Sequence, residues 1–229
     1  MRIAVVDDHA VLADAVASAL EDEGYIVRLI SLSDVHATLA SVLASTLRSA
    51  ARMVLLEPSL GRVGNGLRLV RPLAASGTSV VVLTGTGDRL EWGEALLRGA
   101  KAVLPKTCQL ADVVAAARAV RDEQPLMSAE ERRELIDAAL RERDEVRTIR
   151  ARLDRLTRRE AEVLAALMQG VQVRDIARSA YVSEVTVRTQ VKRVLAKLQT
   201  TSQLAAVGAA YRVGWRPPDT DLAWPAAAG

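Results

Sequence analysis

Two hydrophobic periods alternate along the chain, and each switch between them marks an element. Residues 2–6, 25–32, 53–56, 79–84 and 101–104 are short runs rich in Val, Ile and Leu that read as buried strands. Between and after them, apolar residues recur at spacings of three and four over 10–20, 34–48, 66–75, 88–99 and 110–121, the signature of amphipathic helices. Asp88 with Glu91 has the form of an N-terminal capping pair. Five strands alternating with five helices predict a doubly wound five-stranded parallel sheet, because each crossover helix covers one face.

After residue 121 the strand period disappears. Residues 128–156 lack Gly and Pro, are dense in charge and good helix formers, and predict one long helix. Its Leu135, Ala139, Val146, Ile149, Leu153 and Leu156 follow heptad spacing, broken only at Glu142. That stripe fits two uses: pairing two chains as a short coiled coil, or packing onto the chain's own domains. Thr157 and Glu160 form a capping box before Val163, Leu164 and Leu167. A second short helix at 173–179, a turn at 180–182 and a third helix capped by Ser183 make a helix-turn-helix. Val187, Val191, Val194, Leu195 and Leu198 turn one face of that third helix inward and leave Glu184, Arg188, Thr189, Lys192 and Arg193 outside. A fourth helix at 202–212 presents Leu204, Ala205, Val207, Gly208 and Ala209. Beyond Trp215 the Pro pairs break all periodicity, which predicts a flexible tail at 217–229 whose Trp224 has no evident docking site. The organisation expected is therefore 1–121, a helical linker at 122–156, a helix-turn-helix domain at 157–216 and the tail.

Composition narrows the class. The 229 residues are 50% hydrophobic and 26% charged, with 13 Gly and 7 Pro, which excludes a disordered or collagen-like chain. The longest apolar runs, such as 80–83, are far too short to span a membrane, and the opening segment runs into Asp7 and Asp8 unlike a signal peptide; a cytoplasmic protein is expected. The single Cys108 excludes an internal disulfide and a thiolate metal cage. Arginine supplies 27 of the 31 basic residues, a bias that genome composition explains as readily as selection for bidentate contacts. The charge is uneven: residues 1–121 carry 13 basic and 12 acidic side chains, 122–156 carry 8 and 10, and 157–216 carry 10 and 4. Only the last segment, at net +6, looks built for nucleic acid.

In open parallel sheets, ligands sit beyond the carboxyl ends of the strands. The polar residues there are Asp7 and Asp8 after the first strand, Glu57 after the third, Thr84 ending the fourth and Lys106 after the fifth. The sequences Val-Val-Asp-Asp-His, Leu-Leu-Glu-Pro, Leu-Thr-Gly and Leu-Pro-Lys resemble the receiver domain of bacterial response regulators over about half the chain. The resemblance implies an acceptor carboxylate at position 57, Mg²⁺ held by it and the acidic pair, and phosphoryl contacts from Thr84 and Lys106. The chain departs from that pattern in having Glu57 where the family has aspartate, and Val103 where it has a reporting aromatic. The extra methylene moves the carboxylate outward by about a bond length. The expectation is a receiver that works without aspartyl phosphorylation and needs no cofactor. Asp7, Asp8 and Glu57 still offer the hard oxygens Mg²⁺ takes, although the longer Glu arm works against octahedral geometry. Three uses of Glu57 stay open: a mimic of the phosphorylated state, a solvated acid in a relic pocket, or part of a pocket reused for a small molecule.

The segment from Leu156-Thr-Arg-Arg-Glu-Ala-Glu-Val-Leu164 through Asp175-Ile-Ala177, Val182-Ser183 and Thr186-Val-Arg188 to Lys197-Leu198 is similar to the LuxR-type DNA-binding domain of NarL- and FixJ-like regulators. That resemblance implies base contacts from Arg188, Thr189 and Lys192, phosphate contacts from Thr186, Arg193 and Arg178, and pairing of two domains through the fourth helix. The expected function is a dimeric, sequence-specific DNA-binding transcription regulator. A small-molecule-sensing regulator that uses the former phosphorylation pocket is the alternative. An enzyme of phosphoryl transfer is not expected, because Asp7 and Asp8 are adjacent and no second nucleophile appears.

Overall fold

The structure, a computed structural model, describes residues 1–217; the expectations for residues 218–229, Trp224 included, lie outside the described residues. The chain forms two compact units, Met1–Leu140 and a second that begins at Arg141.

The first unit is a parallel sheet in the order β2-β1-β3-β4-β5, built from β1 (Arg2–Val6), β2 (Ile26–Leu29), β3 (Met53–Leu56), β4 (Ser79–Thr84) and β5 (Ala102–Pro105). The helices α1 (Ala10–Asp22), α2 (Leu39–Arg48), α3 (Leu67–Ala75), α4 (Arg89–Leu97) and α5 (Leu110–Arg121) follow the strands in turn. Alternation along the central strands feeds two cores. Ala4, Val6, Val54, Leu56, Val80 and Val82 face one layer with Val70 and Leu73, while Ile3, Val5, Met53, Leu55, Val81 and Leu83 face the other with Val16 and Val113. Both faces of β3 and most of β4 are therefore buried, as expected of inner strands in a covered parallel sheet.

Local chemistry trims two expected elements. The helix expected from residue 34 starts at Leu39, because Thr38 and Ser41 close a reciprocal capping box (Thr38 N–H to Ser41 Oγ, 2.9 Å; Ser41 N–H to Thr38 Oγ1, 3.2 Å). Asp34 instead accepts from the His36 N–H at 2.8 Å, an Asx turn that competes with the helix. Asp88 caps α4 through Leu90 N–H at 2.9 Å, but Glu91 does not reach back; it accepts from Thr86 Oγ1 at 2.7 Å. A short 3-10 turn at Gly61–Val63 carries no periodic signal and went unpredicted.

The helix α6 (Ala129–Leu153) is continuous, and its apolar stripe is consumed by the chain's own cores. In the first unit, Leu135 and Ala139 are 1% exposed, and Leu135 packs in the same core as Leu96 and Val103. In the second unit, Val146, Ile149, Leu153 and Leu156 join the core of Leu164, Val194 and Leu198. Of the two uses the heptad spacing allowed, packing onto the chain's own domains is the one observed.

The second unit continues with α7 (Arg158–Met168), α8 (Val173–Ser179), α9 (Glu184–Leu198) and α10 (Gln203–Arg212). Thr157 and Glu160 form the expected reciprocal box at the start of α7. Glu160 is buried, and Lys197 Nζ on α9 meets its Oε2 at 2.5 Å. Burial pushes the Glu160 carboxyl up, but Lys197 and the Thr157 donors outweigh it and leave the pKa below the usual carboxylate value. A lowered folded pKa gives stability that is present above the ordinary value of 4.5 and is lost as pH falls through the folded one. Val163, Ile176, Val187 and Val191 pack α7, α8 and α9 together.

Candidate functional site

At the carboxyl end of the sheet, backbone ladders place the charged residues before any side chain is considered. Glu57 N–H donates to Val6 O at 2.9 Å and Lys106 N–H to Thr84 O at 2.7 Å, so both extend their strands by one residue. Gly66 lies against the same turn: a Cβ there would come within 2.4 Å of Glu57 O, so only glycine permits the approach. Glu57 Oε1 then accepts from Ser59 N–H at 3.0 Å, which fixes the carboxylate inward.

Three of the predicted residues meet. Lys106 Nζ lies 2.9 Å from Asp7 and 2.5 Å from Glu57 Oε2, and the two acid side chains are 2% and 6% exposed. The Glu57 contact is one of charge: Oε2 has no partner of hydrogen-bond geometry. Burial pulls the Lys106 ammonium down, and the hydrogen bond to Asp7 and the charges of both acids outweigh it, so its pKa stands above the ordinary 10.5. Asp8 is not part of this triad. It is half-exposed and connects through His9, whose Nδ1 lies 2.9 Å from Asp8 Oδ1 and 3.1 Å from Lys106 Nζ. Thr84 is buried with its hydroxyl accepting from Thr86 N–H at 3.2 Å. Val103 lies in the core beneath β5.

The donor set bears on Mg²⁺. The donor atoms that gather within 4.8 Å belong to Asp7, His9 and Glu57, not to Asp7, Asp8 and Glu57. An imidazole nitrogen replaces a hard oxygen, and the Lys106 ammonium already stands against the carboxylates that would hold the ion. This arrangement does not fit the oxygen shell Mg²⁺ requires. His9 was missed in the sequence; its position directly after the acidic pair, at the mouth of α1, was the available signal.

In the second unit, α8 and α9 form the helix-turn-helix, with Tyr181 in the left-handed region at the turn. Ser183 Oγ caps α9 by accepting from Thr186 N–H at 3.2 Å, leaving a helix N-terminus suited to phosphate. Arg178, Thr186, Arg188, Thr189, Lys192 and Arg193 are all exposed. Two of the cations hold only surface partners: Arg188 meets Glu184 at 3.2 Å and Arg178 meets Asp175 at 3.2 Å. Exposed pairs of this kind contribute about 0.3–0.5 kcal/mol and yield readily to a stronger anion. Thr189 donates its hydroxyl to Val185 O at 2.9 Å, which leaves the methyl as its free group. Val185 itself is 72% exposed, one turn before Thr189 on the same face as Arg188 and Lys192. Sequence reasoning passed over it because an isolated valine outside the buried stripe has no distinguishing period. The face thus combines guanidinium and ammonium donors with two apolar groups sized for a thymine methyl.

A doubly wound sheet with an acid-lysine cluster at its carboxyl rim, followed by a four-helix unit with a cationic recognition helix, defines a DNA-binding response regulator. Sequence comparison agrees: residues 3–118 match the response regulator receiver domain, and residues 154–210 match the luxR family of bacterial regulatory proteins. The chain belongs to the response regulators of the LuxR/FixJ type and is a DNA-binding transcription regulator. It is 29% identical over 213 residues to the virulence-factor transcription regulator BvgA of Bordetella pertussis, covering 92% of this chain and 97% of that protein. It is 27% identical over 221 residues to the transcriptional regulatory protein FixJ of Azorhizobium caulinodans, covering 96% of each. Among solved structures, the RcsB response regulator of Salmonella typhimurium shares the fold at a TM-score of 0.51 and 19% identity, covering 91% of this chain and 98% of that one. An RcsB–DNA complex does so at 0.50 and 20%, covering 93% and 98%. Among the described residues no helix is long and apolar enough to cross a membrane.

Proposed function

We propose that this chain is a cytoplasmic, homodimeric, sequence-specific transcription regulator whose receiver unit acts without aspartyl phosphorylation. One observation supports the reading: Glu57, which the receiver resemblance places at the phosphoacceptor position, has its carboxylate already 2.5 Å from the Lys106 ammonium. In an ordinary receiver that lysine answers a phosphoryl group; here a resident carboxylate supplies the anion. Because the Lys106 ammonium already stands against both acids, the geometry favours a built-in mimic over a relic pocket or one reopened for a small molecule.

DNA engagement follows from α9. Arg188, Thr189 and Lys192 read base edges with Val185, while Thr186, Arg193 and Arg178 hold phosphates. Pairing is supported by α10, where Leu204 is 82% and Tyr211 60% exposed, with Ala205 and Gly208 between them. Such a dimer reads two half-sites on one face of the duplex.

The test of this reading is a binding series on operator and random duplexes. Arg188→Ala is expected to cost about 1–3 kcal/mol on the operator and to relax base preference. Arg193→Ala is expected to weaken all sequences alike and to reduce the slope of log K against log salt by about 1. Equal loss of preference in both variants contradicts the assignment of faces.

A further inference from the structure

An arginine-lined cavity lies in the first unit, at the opposite end of the strands from the acid-lysine cluster. Beside edge strand β2, a cavity of about 440 Å³ is lined by Arg2, Arg28 and Arg48 together with Ile26 and Ser49, and no carboxylate lines it. The three arginines come from separate elements. Parallel pairing of Arg2 with Ile26 and of Ala4 with Arg28 puts Arg2 and Arg28 on one face of the sheet, since side chains alternate. Ala4 and Val6 on that face pack in the same core as Val42 of α2, so it is the face α2 covers. Arg48 arrives from the last turn of α2.

Single explanations account for single residues. Arg48 complements the carboxyl end of its helix and donates to Ser45 Oγ at 2.9 Å. Arg28 guards an exposed edge strand against pairing. Neither explains why three arginines line one cavity, nor why Arg2 and Arg28 have no ion-pair partner among the described residues. Guanidinium forks match phosphate oxygens two at a time, and three arginines drawn from β1, β2 and α2 suit a chain of phosphates better than one carboxylate.

We infer that this cavity binds a condensed phosphate of two or three phosphoryl groups, free or carried on a nucleoside. The exposed side chain of Ile26 at the rim, 63% accessible, is the apolar surface a nucleoside would meet. The inference is independent of the regulator reading and of Glu57.

The experiment is calorimetric titration of the full chain with inorganic tripolyphosphate, and separately with ATP in the absence of divalent ions, at fixed ionic strength. The DNA-binding face is also cationic, so two double variants separate the sites. Arg2→Gln/Arg28→Gln is expected to weaken tripolyphosphate binding by about tenfold or more, and Lys192→Gln/Arg193→Gln to leave it unchanged. Equal affinities for the two probes identify the phosphate chain as the ligand, and tighter ATP binding adds a nucleoside contact; both support the site. Amide NMR shifts at Ile26, Arg28 and Ser49 on adding tripolyphosphate provide a readout in unmutated protein. The inference is overturned if binding follows Lys192 and Arg193, if sulfate at matched ionic strength gives the same heat, or if those amides do not move.

Discussion

Replacing Lys106 by methionine is expected to destabilise the first unit by about 3 kcal/mol at neutral pH. The residue neutralises two buried acids at once, and removing one partner of a buried pair leaves uncompensated charge that typically costs about 3–5 kcal/mol. The side chain is 13% exposed, so water reaches the site and the lower end of that range applies. Urea denaturation monitored by circular dichroism gives the value, with an unchanged m confirming that stability alone has moved. The pH dependence provides an independent check. The folded pKa of Lys106 is raised: burial lowers it, and Asp7 and Glu57 more than reverse that. The stabilisation is therefore complete below the ordinary 10.5 and is lost as pH rises through the folded value. The difference between wild type and Lys106→Met should accordingly shrink in strong alkali. A difference that stays constant from pH 7 to 12 contradicts the ion-pair origin.

The second large effect is predicted at Gly93 on α4. A Cβ there would come within 2.2 Å of Leu135 O and 2.7 Å of the Ala139 Cβ, so the backbone of α6 rests directly on this glycine. Alanine is the better helix former by about 1 kcal/mol, yet Gly93→Ala is expected to lose about 2 kcal/mol net, because α6 must move off Leu96 and its neighbours. Hydrogen exchange should show faster opening at the amides around Leu135. Gly208 in α10 makes the contrast, since nothing in its own chain lies within 4 Å of its added Cβ; at concentrations too low for pairing through α10, Gly208→Ala should stabilise the second unit by about 0.5–1 kcal/mol. The same substitution with opposite signs separates close packing from helix propensity. Stabilisation by both would show that the α4–α6 contact yields without cost.

Gly93 also illustrates what the sequence could and could not reveal. The five strands and the polar residues at their carboxyl ends were legible because buried parallel strands are short apolar runs and the polar residues ending them stand out; the order of the strands in the sheet was not. The α6 stripe was legible as a stripe but not in its partner. Heptad spacing is the same whether the seam meets a second chain or a glycine on α4 some forty residues earlier. Asp34 shows a different limit, since a short polar residue that bonds its own backbone stops a helix that hydrophobic spacing would extend. His9 and Val185 were missed for a common reason: each acts through the neighbours the fold gathers around it. Nothing in the periodicity marks an imidazole that lies between Asp8 and Lys106, or a valine left outside the core on a recognition face.

The choice between a resident carboxylate and a phosphorylation cycle is decided most directly by operator affinity, measured by fluorescence anisotropy on protein purified without any phosphodonor. Unmodified protein should bind its operator, and acetyl phosphate should change neither its affinity nor its intact mass. Glu57→Asp, which shortens the arm toward Lys106, should bind more weakly until acetyl phosphate restores it. If unmodified protein ignores the operator, and acetyl phosphate both modifies Glu57 and brings binding on, the receiver is an ordinary phosphorylation switch after all.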